Sequence, residues 1–180
     1  ITYIIENKDR FNVEEGYAAF GFSAGGHLVS ELGTNNQGYK VYGLPKPEML
    51  GLCYPLVAFA QKTRNCGDAQ AGQELSPSSE AQMRQAIAMM FEGEATDAVL
   101  DEFTPVNHLD TDYPKTFIWQ TKEDEQVPFE ANALEIYRRL ERLGVPCRLK
   151  AVEHGLHGLG LGEGSEAAGW LDEAVVYWQE

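Results

Sequence analysis

Short apolar runs alternate with segments of helical periodicity along this chain of 180 residues. Four runs are rich in apolar, aromatic and β-branched side chains and are bounded by polar turns, glycine or proline, which is typical of buried strands. These runs cover residues 17–22, 49–59, 116–120 and 147–152. Pro55 lies within the second run. Because proline cannot donate a hydrogen bond to a sheet, we expect the far end of this run to leave the sheet.

Helical patterns lie between and around these strands. Residues 1–11 carry apolar side chains near helical spacing, residues 24–32 follow the first strand directly, and a later helix ends at Gly144. A shorter helical segment precedes Pro105. The final helix is predicted to bury Ala167, Leu171, Ala174, Val175 and Trp178.

A capping-box pattern, Ser79-x-x-Gln82, predicts another helix in the middle of the chain. Its apolar face would carry Met83, Ala86, Ile87, Met90 and Phe91. Such a stripe is typical of a core contact, although methionines also adapt to varied ligands and could line a lid over a substrate pocket. We interpret residues 61–110 as a cap or specificity insertion.

The alternation of strands and helices predicts an α/β fold with one parallel sheet of about four strands flanked by helices. The whole chain, residues 1–180, is expected to form a single domain. In a parallel sheet of this kind, sites form beyond the carboxyl ends of the strands. Three loops reach that edge: one begins at Ser23, the second spans residues 121–126, and the third spans residues 153–164.

Composition narrows the classes of partner. The formal net charge is −14, so the chain repels phosphate backbones and anionic lipid surfaces, and we expect neither nucleic acid nor membrane as a partner. Three widely spaced cysteines predict no disulfide framework and no cysteine metal pair. No apolar run approaches membrane-spanning length and no signal-peptide pattern is visible, so we expect a cytoplasmic protein. Because the chain begins at Ile1, we expect a fragment or a processed product.

The segment Gly21-Phe22-Ser23-Ala24-Gly25 lies at the corner between the first strand and its helix. A sharp turn there would expose the Ser23 hydroxyl, strain its backbone, require glycine at both flanking positions and point the Ala24 N–H at an oxyanion. The alternative is a glycine-rich connection with a bystander serine. With 18 glycines, this pattern arises by chance in on the order of one chain in twenty of this composition.

A serine nucleophile needs a base, and the base needs an acid that orients it. The chain offers four histidines, His27, His108, His154 and His157. We favour His157 over His154 in the loop after the last strand, because the glycines that follow His157 allow close approach. For the acid we favour Asp124, which stands a short fixed distance before Val127-Pro128, over Glu123.

The order Ser23, Asp124, His157 is that of α/β-hydrolases. The segments Gly-Phe-Ser-Ala-Gly-Gly-His-Leu, Asp-Glu-Gln-Val-Pro and His-Gly-Leu-Gly-Leu resemble the α/β-hydrolase acetylesterase group, whose members are labelled carbohydrate acetylesterases, xylan esterases or xylanases. The resemblance runs with gaps along the whole chain. It implies that Ser23 is the nucleophile, Asp124 the triad acid and His157 the base.

The resemblance further implies a serine hydrolase of small acetyl-type esters, including those of acetylated sugars, that works through an acyl-enzyme without metal or cofactor. Members of this group also carry upstream strands and a His-Gly-Gly-type loop that donates a second oxyanion N–H, and nothing in this sequence matches that loop. An exposed sheet edge would then be open to pairing in a homo-oligomer. The alternatives are a peptidase or other acyl hydrolase on the same fold, and an inactive fragment.

Overall fold

The computed structural model describes residues 1–13, 16–58 and 96–180, together with residues 85, 88 and 89. Of the predicted capping-box helix, the structure describes only residues 85, 88 and 89, which are helical. Its capping box and its methionine stripe lie outside the described residues, so the assignment of residues 61–110 as a cap stays a prediction. None of the helices in the described part of the chain is long and apolar enough to cross a membrane. The described strands are β1 (Ala18–Phe22), β2 (Met49–Cys53), β3 (Thr116–Thr121) and β4 (Cys147–Val152).

Six α-helices lie within the described ranges. They are α1 (Thr2–Glu6), α2 (Lys8–Phe11), α3 (Ala24–Leu32), α4 (Asp97–Glu102), α5 (Ala133–Leu143) and α6 (Trp170–Gln179), with a 3₁₀ turn at Pro105–Asn107. The four predicted strands are confirmed, and the second ends before Pro55 as expected.

The strands form one parallel sheet in the order β1-β2-β3-β4. The register aligns Phe22 with Cys53 at one pair of strand ends and Thr121 with Val152 at another. Because all four strands run the same way, their carboxyl ends meet at one edge, and the loops that follow them lie side by side. The topology therefore brings the three predicted site loops together.

Helices cover both faces of this sheet, as predicted. Leu50 and Leu52 of β2 join the core on one side, where α3 and α5 pack. Met49 and Cys53 of the same strand face the opposite side and join the core that includes α6. The alternation follows from the two-residue period of a strand. Because both faces of the sheet are covered, β2 and β3 are buried along their full length.

Two helical predictions are wrong in detail. Residues 1–11 form two short helices separated at Asn7, and neither buries a residue. In α6 the predicted contacts Leu171 and Val175 are exposed, whereas Trp170, Ala174 and Tyr177 are buried. The physical reason is that Trp170, the first residue of α6, stacks on Trp119 of β3 with ring centroids 5.5 Å apart, and this contact sets the rotation of the helix.

Strand β1 lies at the end of the sheet order, so within the described ranges it pairs only with β2. Phe22 at its carboxyl end is 39% exposed. The open edge is consistent with the sheet predicted from sequence, and association of two copies through it stays a prediction.

Candidate active site

Ser23 occupies the corner between β1 and α3 with φ 54° and ψ −117°. A positive φ is rare for a residue with a side chain and costs on the order of 1–3 kcal/mol. Backbone hydrogen bonds hold this conformation. The Ser23 N–H donates to the Cys53 carbonyl at 2.9 Å, and the Ser23 carbonyl accepts from the His27 N–H at 3.1 Å. The predicted strain at Ser23 is confirmed.

The glycines of this corner are not equivalent. A Cβ added at Gly21 would lie 2.0 Å from the Gly25 carbonyl oxygen, and one at Gly26 would lie 2.9 Å from the backbone of Pro55. A Cβ at Gly25 would meet nothing within 4 Å. The prediction that both flanking positions require glycine is therefore wrong for Gly25. A side chain at Gly25 would enter open space, whereas a side chain at Gly21 would collide with the Gly25 carbonyl oxygen.

Ala24 is the first residue of α3. The N–H groups of the first helical turn have no acceptor within the helix, and the helix dipole places partial positive charge there. Ala24 therefore offers an N–H beside the Ser23 side chain. Its role in an oxyanion hole stays a prediction.

The structure brings Ser23, His157 and Asp124 into one line of hydrogen bonds. His157 Nε2 lies 2.8 Å from Ser23 Oγ, and His157 Nδ1 lies 2.6 Å from Asp124 Oδ2. Because an ionised carboxylate can only accept, Nδ1 carries the proton and Nε2 is free to accept from the serine hydroxyl. The Asp124 side chain is fully buried and that of His157 is 11% exposed.

Asp124 accepts four hydrogen bonds from the described residues. Its Oδ1 accepts from the backbone N–H groups of Gln126, at 3.1 Å, and Val127, at 2.9 Å. Its Oδ2 accepts from Gln120 Nε2, at 3.2 Å, and from His157. This arrangement compensates for the loss of water around the buried carboxylate and fixes its direction. It also explains why Asp124 stands so close before Val127 in the sequence.

The two alternatives weighed from the sequence bind each other. His154 Nδ1 lies 3.0 Å from Glu123 Oε1, and the Gly155 N–H donates to Glu123 Oε2 at 3.1 Å. The hydrogen bond to Glu123 raises the pKa of His154, and the same bond lowers the pKa of Glu123. Their side chains are 72% and 55% exposed, which makes this a surface contact between the two loops.

The remaining histidines have structural contacts. His27 lies on α3, and its Nδ1 is 3.1 Å from the Leu56 carbonyl oxygen. Burial lowers the pKa of His27 to about 4, against the effect of that hydrogen bond, so the ring is neutral at pH 7. His108 Nε2 lies 2.7 Å from the Asp101 carbonyl oxygen.

Glu31, one turn after His27 on α3, is a buried carboxyl. Burial raises the pKa of Glu31 to about 7, and a hydrogen bond from Thr34 opposes the rise while Glu102 adds to it. His27 Nε2 lies 3.8 Å from Glu31 Oε1, a distance too long for a hydrogen bond. At neutral pH the helix behind the serine therefore carries a carboxyl that is only partly ionised.

Tyr54 is a site neighbour that the sequence analysis missed. It follows β2 directly and has φ +38°, a second strained residue at the same edge of the sheet. Its ring meets the His157 ring edge to face, with centroids 5.0 Å apart, and its hydroxyl accepts from the Gly160 N–H at 3.1 Å. Trp170 Nε1 donates to the Gly160 carbonyl at 3.0 Å, so two aromatic side chains hold the loop that carries His157. An aromatic residue directly after a strand at this edge was the available signal.

A cavity of about 490 Å³ lies beside the acid loop. It is lined by residues 122–125 and 128–130 and by Leu156. Neither Ser23 nor His157 lines it. Within the described part of the chain, no group of three or more His, Cys, Asp or Glu side chains is placed to hold a metal ion.

The fold and this line of three side chains define the class of protein. The chain superimposes on the acetyl ester-xyloside bifunctional hydrolase from Caldicellulosiruptor lactoaceticus with a TM-score of 0.74 and 25% identity, covering 98% of this chain and 61% of that protein. It superimposes on the carboxylesterase Cest-2923 from Lactobacillus plantarum WCFS1 with a TM-score of 0.69 and 22% identity, covering 98% and 63%. The chain has the α/β-hydrolase fold.

The sequence gives the family. The sequence model of the BD-FAE family matches residues 1–139, and the chain belongs to that family. A curated relative, endo-1,4-beta-xylanase B of Butyrivibrio fibrisolvens, is 24% identical over 179 residues, which are 94% of this chain and 25% of the relative. The chain thus spans about three fifths of the structural relatives and a quarter of this curated one. The resemblance seen in the sequence motifs is confirmed at the level of the family and the fold.

Alanine at Gly21 and at Gly25 should have opposite effects on stability. Gly21→Ala forces a backbone clash at 2.0 Å and should lower the free energy of unfolding by about 1–3 kcal/mol. Gly25→Ala has open space inside a helix and should leave stability unchanged or raise it by up to about 1 kcal/mol. Urea unfolding of the two variants measures the difference. Equal losses would show that the asymmetry of this corner is wrong.

The stability of Glu31→Gln relative to that of the wild type should increase as pH rises. The pKa of Glu31 is about 7 in the folded chain against an ordinary value of 4.5, so the folded chain binds more protons in this interval and wild-type stability falls across it. The free energy of unfolding of the variant minus that of the wild type should therefore increase between about pH 5 and about pH 7.5 in urea titrations. The exposed Glu130→Gln is the control. A difference that stays constant with pH would contradict the burial effect.

Proposed function

We propose that this chain carries the catalytic triad of a serine carboxylesterase, with Ser23 as nucleophile, His157 as base and Asp124 as the acid that orients it. One observation carries the proposal. A strained serine, an imidazole and a buried carboxylate are joined by hydrogen bonds of 2.8 and 2.6 Å at the carboxyl edge of the sheet. Three loops far apart in the sequence meet there, in the order typical of this fold.

The geometry supports an acyl-transfer reaction. His157 Nε2 takes the hydroxyl proton while Ser23 Oγ bonds to the ester carbonyl carbon, and Asp124 stabilises the imidazolium that forms. The tetrahedral intermediate then collapses, the bond to the leaving alcohol breaks, and His157 returns the proton to that alcohol. Water, activated by His157, cleaves the acyl-enzyme and regenerates the serine.

The oxyanion needs N–H donors in the position where charge develops. The Ala24 N–H at the start of α3 suits this role, because helix N-termini stabilise negative charge. The resemblance to the acetylesterase group implies a second N–H from a loop that this sequence does not match. Loss of one such donor typically slows acyl transfer by about 10²–10³-fold, so the rate of the 180-residue chain measures how much of the site it carries.

For the substrate we propose small acetyl-type esters, with acetylated sugars as the natural class. The support comes from relatives, since one similar structure is an acetyl ester-xyloside bifunctional hydrolase and the curated relative is a xylanase by name. The acidic surface suits a neutral carbohydrate better than an anionic substrate. Cytoplasmic location stays a prediction.

Alanine substitutions separate the two histidines of the last loop. Ser23→Ala and His157→Ala should each lower kcat/KM for p-nitrophenyl acetate by about 10⁴-fold or more, since triad members act as a unit. His154→Ala is the matched control, because it removes an imidazole of the same loop whose bond is to Glu123. It should stay within about tenfold of wild type. Equal losses in the two histidine variants, or hydrolysis that survives Ser23→Ala, would contradict the proposal.

A further inference from the structure

Gln120 is a buried polar side chain directly behind the acid of the site. It lies on β3, one residue before the strand ends, and is fully buried. Its Nε2 donates to Asp124 Oδ2 at 3.2 Å and also to the Val127 carbonyl oxygen. A buried amide of this kind is costly unless its bonds are made, so these contacts specify its place in the fold.

The direction of the Gln120 amide follows from its partners. The Val127 carbonyl and the Asp124 carboxylate only accept hydrogen bonds, so the NH₂ group must face both of them. The opposite flip would set Gln120 Oε1 against two acceptors. Within the described residues, Oε1 in the present orientation is buried without a partner, so the two bonds of Nε2 are made at the expense of the carbonyl end.

Gln120 also closes a small ring of hydrogen bonds around the acid. Val127 donates its N–H to Asp124 Oδ1 and accepts from Gln120 through its carbonyl oxygen. The same amide reaches Asp124 Oδ2, the oxygen that is 2.6 Å from His157 Nδ1. One side chain on a rigid strand therefore fixes both the loop after the acid and the oxygen that the base uses.

We propose that Gln120 is a positioning residue for the triad, acting through Asp124. It holds Oδ2 in the direction of His157 Nδ1 and thereby keeps the imidazole in the tautomer and orientation that present Nε2 to Ser23. This inference rests on the proposed function and extends it by one side chain. Gln120 touches no reacting atom, so its effect is on the alignment of the base.

An amide donor and an acid donor behave differently with pH, and this difference tests the role. In Gln120→Glu the introduced carboxyl lies in a buried site beside Asp124, and both conditions raise its pKa above the ordinary value near 4.3. While protonated it can still donate one hydrogen bond to Asp124. Once ionised it donates none and repels the carboxylate, so alignment of the base is lost as pH rises.

The measurement is kcat/KM for p-nitrophenyl acetate across about pH 5 to about pH 8.5. For Gln120→Glu we expect the ratio of variant to wild type to be highest at the acidic end and to fall at least about tenfold toward the alkaline end. Gln120→Met, which fills similar space without a donor, should be about ten- to a hundredfold slower than wild type at every pH. Glutamate that rescues activity at low pH, where methionine does not, is the result expected of a hydrogen-bond donor.

The matched control is Glu125→Gln, the reverse exchange of amide and acid at an exposed position next to Asp124. It should keep the wild-type profile within about twofold, because the charge of an exposed side chain is screened by solvent and interacts weakly with its neighbours. Thermal unfolding of each variant at each pH shows that the chain stays folded. A Gln120→Glu profile that is parallel to wild type, or a Gln120→Met variant as fast as wild type, would overturn the positioning role and leave Gln120 a packing residue.

A measurement that needs no turnover tests the role of Gln120 separately from the proposed function of the triad. The proton shared by His157 Nδ1 and Asp124 should give a low-field proton resonance that is absent in His157→Ala. We expect it to shift or broaden in Gln120→Met and to change with pH in Gln120→Glu. An unchanged resonance in both variants would overturn the role of Gln120, whereas a normal resonance in a wild-type chain that hydrolyses no ester would overturn the proposed function.

Discussion

The bond between His157 and a completely buried carboxylate governs the site. Asp124 lies in a loop, and loops alone hold side chains poorly, but here four donors surround the carboxylate and two of them come from the backbone of its own turn. Removing a charge from water is expensive, and each of these bonds offsets part of that cost. The contact with Asp124 sets the direction of the His157 imidazole. That direction in turn places His157 Nε2 within hydrogen-bond distance of Ser23 Oγ.

Strain is concentrated at the same edge of the sheet. Ser23 and Tyr54 are both non-glycine residues with positive φ, and each directly follows a strand. Conformations of this kind cost on the order of 1–3 kcal/mol apiece and persist only where the surroundings hold them. The two strained turns are linked, because the Ser23 N–H donates to the carbonyl of Cys53, the residue before Tyr54. The Tyr54 N–H in turn donates to the carbonyl of Trp119 at 2.7 Å. Packing of Tyr54, Trp119 and Trp170 in one buried cluster compensates for that cost.

Much of this arrangement was readable from the sequence because strands and turns are local. The periodicity located all four strands, and the glycine-rich corner identified the strained serine. The rotation of α6 was not predictable in this way, since a tertiary contact between Trp170 and Trp119 sets it. The need for glycine at position 21 but not at 25 depends on where one carbonyl oxygen points, which no motif encodes.

The residues around the site likewise divide into those that the local sequence predicts and those that only the tertiary structure identifies. Sequence reasoning proposed Asp124 with His157 and kept Glu123 and His154 as alternatives, but only the folded loops show that the alternatives bind each other. Tyr54 was missed because its partners, His157 and Gly160, are distant in sequence. Gln120 was missed because its role depends on how the turn that carries Asp124 and Val127 folds back on the end of β3. The cap assigned to residues 61–110 stays a prediction, and so does its part in substrate specificity.

The most direct test of the central claim is the intact mass of the 180-residue chain after reaction with a fluorophosphonate, followed by peptide mapping of the adduct. This reagent modifies a serine only when a base activates it. The account predicts one adduct per chain, located on Ser23 and lost in His157→Ala. A folded chain that forms no adduct, or forms it equally without His157, would contradict the claim that these three residues assemble a working triad.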